Sequence, residues 1–133
     1  VLSGRINTKK GGTIKYGRVE VTAKMPEGDW LWPAIWMLPV NDTYGPWPLS
    51  GEIDIAESRG NNHTYGQGGN NIVSSSLHWG PDPANDAWWR TNVKRTALHT
   101  TYAKSEHTFG LEWSHGITIW QATWEAGPPV PAF

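Results

Sequence analysis

Cysteine is absent from all 133 residues. That excludes disulfides and thiol chemistry and leaves the compartment open. Charge is nearly balanced, with 11 Lys and Arg against 12 Asp and Glu, for a net −1. Binding to nucleic acid or to an anionic membrane surface calls for a basic excess, and the densest basic cluster here is only the pair Lys9–Lys10. No apolar run approaches the ~20 residues that a membrane-crossing helix needs. The opening stretch VLSGRINTKKGG has no apolar segment of the secretory type. No segment pairs a helix cap with an amphipathic run. His63, His99, His107 and His115 have no metal-ligand spacing with each other or with acids, so no metal site and no cofactor is expected. A glycine-rich phosphate loop and a nucleophile elbow around Ser74–Ser76 are missing too.

Tryptophan is what the chain has in excess, 10 residues against 2 Phe. Some of these must fill a core. A flat indole also suits the C–H face of a pyranose ring. Gly and Pro, 15 and 10 residues, punctuate the chain at short intervals, as in an all-β domain. GRVEVTAKMP alternates Val19, Val21 and Ala23 with polar residues until Pro26 ends the strand. WLWPAIWMLP is apolar on both faces, so it is buried on both sides or lines a cleft. IVSSSLHWG reads as a strand, and EHTFGLEW, SHG and ITIW read as a hairpin. The length suits one domain, all-β and antiparallel, best packed as a two-sheet sandwich.

The stretch GEIDIAES concentrates Glu52, Asp54 and Glu57 in six residues. A charged solvent face is the plainer reading of the first two. Glu57 breaks it, because five steps from Glu52 is odd and a regular strand points it to the opposite side. Acids gathered on one strand with no Lys or Arg before Arg59 repel one another, and strands that keep such repulsion usually need it for chemistry. A β-bulge at Ile55–Ala56 would restore Glu57 to the face of Glu52 and Asp54. Paired carboxylates on one face are what glycoside hydrolysis uses, one attacking the anomeric carbon and one protonating the leaving oxygen. Along a flat strand their Cα atoms would lie roughly 13 Å apart, so a curved sheet is needed to converge the side chains.

SGEIDIAES, led by WPAIWML and GPWP and followed by SSLHWG, resembles glycoside hydrolase family 16, in its laminarinase-type endo-β-1,3-glucanases. YGRVEVTAKMP and HTFGLEWSHGITIW resemble further strands of that family, and the likeness runs over about residues 3–120. It implies a curved antiparallel β-sandwich, a concanavalin-like jelly roll, here incomplete at both ends. It implies Glu52 as nucleophile, Glu57 as general acid/base, and Asp54 between them tuning the pair. Which glutamate is which rests on the resemblance. The coupled charges agree with it, since an ionised Glu52 helps Glu57 hold the proton it donates.

By the same resemblance Trp36 and Trp47 match sugar-stacking positions, and His78 matches a histidine beside the acid/base. Arg18 matches a glycan contact of some bacterial relatives, and Trp32 stands between substrate contact and packing. Alternation places Trp79 in the core, while Trp88–Trp89 either border the cleft or cover the sheet. Two sequons, at Asn41 and Asn62, fall in expected loops. The domain is expected over residues 1–120, with 121–133 a Pro-rich tail. The expected partner is β-glucan, outside the cell or in a cell wall, and the exposed sheet edges of a shortened jelly roll offer a route to self-association. A hydrolase is one implied function. A recognition module that binds glucan without turnover is the other, and the three intact acids favour the hydrolase.

Overall fold

A computed structural model describes residues 2–123 and 130–131. Among the described residues eight strands form two antiparallel four-stranded sheets. They are β1 (Gly17–Ala23), β2 (Ala34–Met37), β3 (Glu52–Ser58), β4 (Ile72–His78), β5 (Val93–Thr96), β6 (His107–Trp113), β7 (Ile117–Thr123) and β8 (Val130–Pro131). One sheet runs β1-β6-β7-β8 and the other β2-β3-β4-β5. Two short 3-10 turns, Pro83–Asn85 and Trp88–Arg90, interrupt the connection from β4 to β5. Among the described residues no helix is long and apolar enough to cross a membrane.

The sheets close on one core. Ile55, Ala56 and Val73 from one sheet meet Phe109, Leu111 and Ile119 from the other, with Met25 and Tyr102 completing the cluster. Full burial of each larger side chain is worth about 1.5–3 kcal/mol. Alternation explains the choice of residues: Phe109 and Leu111 on β6 point inward, and Val19, Ala23 and Trp113 pack at the margin. His107 is part of this core, next to the Tyr102 ring at 4.9 Å, and burial pulls its pKa down. The β6–β7 hairpin turns at Ser114–Gly116, as its sequence suggested.

Strand β7 continues through Thr123, and Val130–Pro131 pair with its Trp120 and Gln121. The other residues of the stretch 124–133 lie outside the described residues. Trp79 differs from the expectation of a core residue, being 44% exposed. Strand β4 ends at His78, so alternation no longer governs the next side chain, and Gly80 at φ +153° turns the chain away.

Candidate active site

Strand β3 carries the break in register that its acids require. Against β4, Asp54 pairs with Ser76 and Glu57 with Ser74, so Ile55 and Ala56 together oppose Ser75. Against β2, Ile35 pairs with Ala56 and Trp36 with Asp54, which leaves Ile55 as the extra residue. Two residues against one is a β-bulge. Both bulge side chains enter the core, Ile55 at 2% and Ala56 at 0% exposure, and Glu52, Asp54 and Glu57 share the outer face. Ser75 fastens the bulge by donating its hydroxyl to the Ile55 carbonyl at 2.8 Å.

Each glutamate has its own indole donor. Trp47 Nε1 donates to Glu52 Oε2 at 2.6 Å, and Trp32 Nε1 donates to Glu57 Oε1 at 3.0 Å. The loop bearing Trp47 is held by Ser50, whose hydroxyl donates to the Gly45 carbonyl and accepts the Tyr44 N–H. Arg59 lies over the face of Trp32 at 5.1 Å. Trp36, beside Asp54 on β2, lines a cleft of about 630 Å³ with Leu38, Val40, Trp47, Glu52 and Lys9. The apolar stretch around Trp36 therefore resolves as a cleft wall.

Asp54 is buried between the glutamates. Burial, then the charges of Glu57 and Glu52, push its pKa up to about 7. Burial also raises Glu57, partly offset by the Trp32 hydrogen bond. His78 faces Glu52 across the β3–β4 ladder, and its Nε2 stands 3.0 Å from Asp54 Oδ2. That contact is close but off the line of a good hydrogen bond. Burial works against the charged imidazole, yet a hydrogen bond from Nδ1 to Asp86 and the nearby acids raise its pKa overall. Donor atoms of Glu52, Asp54 and His78 converge within 4.8 Å. With Nδ1 turned to Asp86, the neutral imidazole keeps its one lone pair on Nε2, which faces Asp54.

Of the residues singled out in the sequence, Glu52, Asp54, Glu57, Trp32, Trp36, Trp47 and His78 gather at this face. Arg18 does not join them. It lies on β1 in the other sheet, where its guanidinium reaches Glu20 and Glu112. Asp86 was not legible, because its sequence context is an irregular loop and its role exists only through the fold. Arg5, stacked 5.1 Å over the Trp36 ring, was missed for the same reason. Trp88 borders the site, 6.4 Å from the His78 ring, while Trp89 is turned outward.

The model of the family described as glycosyl hydrolases family 16 matches residues 2–122. The chain belongs to that family. It is 48% identical over 114 residues to a β-1,3-glucan-binding protein of Penaeus monodon, covering 86% of this chain and 31% of the relative. It is 50% identical over 120 residues to a β-glucanase of Rhodothermus marinus, covering 89% and 38%. The laminarinase catalytic domain of Thermotoga maritima superposes at a TM-score of 0.69 with 28% identity, over 86% of this chain and 43% of that one. The chain thus spans less than half the length of these relatives. The two-sheet jelly roll expected from the sequence is the fold of these structural neighbours.

Proposed function

We propose that this chain is the acid-bearing part of a retaining endo-β-1,3-glucan hydrolase. The observation that carries the reading is the bulge at Ile55–Ala56, which gives Glu52 and Glu57 one face and leaves each with its own indole donor. In the first step Glu52 attacks the anomeric carbon while Glu57 protonates the departing glycosidic oxygen. In the second, water attacks the glycosyl ester, Glu57 takes its proton, and Glu52 is released. The raised pKa of Glu57 suits a group that must begin protonated. Asp54, with its pKa near 7, holds or yields a proton as the charge on Glu52 disappears and returns. Trp36 and Trp47 stack the sugar rings, with Trp32 and His78 at the reacting centre. The substrate places the activity outside the cell or in a cell wall.

A second reading has its own support. The Penaeus monodon relative is named for glucan binding, at 48% identity. Under it the same cleft holds glucan without turnover. Reducing-sugar release from laminarin, with Glu52→Gln as control, separates the two. Release that vanishes in the variant supports the hydrolase. Laminarin that quenches Trp fluorescence without any release supports the binding module.

A further inference from the structure

Asp86 divides its carboxylate between two tasks. Oδ1 accepts the backbone N–H of Trp79 at 3.1 Å and of Trp88 at 3.2 Å. Oδ2 faces His78 Nδ1 at 2.5 Å, and the Asp86 side chain is 7% exposed. The surrounding loop is closely built: Ala87 N–H reaches the Trp79 carbonyl, and a Cβ at Gly80 would fall 2.4 Å from the Asn85 carbonyl oxygen. An oriented acceptor for one imidazole nitrogen decides which nitrogen carries the proton. With Asp86 taking the Nδ1–H, the lone pair is left on Nε2, the nitrogen 3.0 Å from Asp54 Oδ2.

We propose that Asp86 is a positioning residue that fixes the tautomer and orientation of His78, so that His78 and Asp54 share one proton beside Glu52. The assignment rests on the hydrolase reading for its use in turnover, though the Asp86–His78–Asp54 geometry stands apart from it. While Glu52 is a carboxylate, its charge keeps the proton on the Asp54 carboxyl. When Glu52 becomes an ester its charge is gone. The Asp54 O–H bond then breaks and a His78 Nε2–H bond forms, giving an Asp54 carboxylate against an imidazolium that Asp86 neutralises. Return of the Glu52 carboxylate reverses the transfer. Every group facing His78 agrees with this: Asp54 and Glu52 from β3, Asp86 from the loop, and the neutral rings of Trp47 and Trp88 at 5.5 and 6.4 Å. Glu57 also lies within range of its charge.

The test is 15N–1H NMR titration of the five histidines, with His78→Gln assigning the signal. In the unsubstituted chain His78 is expected as the Nδ1–H tautomer when neutral, with a pKa above the ordinary 6.5. Asp86→Asn should lower its proton affinity about tenfold or more, the effect of removing an opposite charge in contact, and should populate the other tautomer. On laminarin the same variant should lose kcat with binding retained, and the limbs of its pH profile should move, because the proton that His78 and Asp54 share now stays on Asp54. A uniformly lowered profile without that move would mark Asp86 as merely structural and overturn the proposal. An Nε2–H tautomer, or a His78 pKa at or below 6.5 in the unsubstituted chain, would overturn it even if the Asn variant failed to fold. A chain that cleaves nothing refutes the hydrolase reading, while the titration still decides the role of Asp86.

Discussion

Ser75 donates its hydroxyl to the carbonyl of Ile55 at the point where β3 sets two residues against one of β4. That bond braces the bulge, and the bulge alone keeps Glu57 on the face of Glu52. Ser75→Ala removes the donor and leaves a part-buried carbonyl without it. The expected loss is about 1 kcal/mol, a fall in Tm of a few degrees, measured by thermal unfolding. Glucan hydrolysis should fall further than stability does, because small changes in the bulge move one glutamate relative to the other.

The two glutamates should fail differently. Glu57→Ala removes the proton donor and should slow laminarin cleavage by about 10²–10⁴-fold. Azide should restore turnover of an aryl β-glucoside, whose leaving group needs no acid, and the azide product should be the β-anomer. Glu52→Ala should give the α-anomer in the same assay. Chromatography and NMR of the azide products check the assignment.

Stacking and hydrogen bonding should separate at the two cleft tryptophans. Trp36→Ala takes away a wall of the cleft and should weaken laminarin binding about tenfold, or ~1.4 kcal/mol. Trp47→Phe keeps a ring but deletes the N–H that reaches Glu52. Its effect should fall on kcat, with binding by fluorescence quenching nearly unchanged.

The Asp54 contribution to stability should decline as pH rises from about 4 to neutrality. Asp54 is raised from 3.8 to about 7, so the folded state binds its proton more tightly than the unfolded chain. That contribution is fully present below pH 3.8 and is lost as pH rises to about 7. Glu57 and His78, both raised, act in the same direction, whereas His107, a lowered base, costs stability as pH falls. Asp54→Asn deletes the Asp54 contribution and leaves His107 in place. The stability difference between variant and parent should therefore grow in the variant's favour from pH 4 to pH 7, at no more than about 1.4 kcal/mol per pH unit. Denaturant melts across that range check it.

Much of this was legible in local pattern. Alternation in GRVEVTAKMP and HTFGLEW specified strands and their inward faces. The odd spacing of Glu57 from Glu52 pointed to a bulge, because a strand period of two leaves no other way to align them. Long-range geometry was not legible. Nothing in PDPANDAWWR marks Asp86 as the partner of a histidine eight residues earlier, since that pairing needs Gly80 to turn the loop back. Arg18 was assigned by motif alone, and a motif does not say which of two sheets a strand will join. Trp79 was misplaced by extending alternation one residue past the end of β4.

The central claim is that Glu52 and Glu57 carry out a double displacement. Proton NMR of the first reducing ends released from laminarin tests it most directly. The account predicts the β-anomer first, with the α-anomer appearing only by mutarotation. An α-anomer formed first, or no reducing end at all, would contradict it.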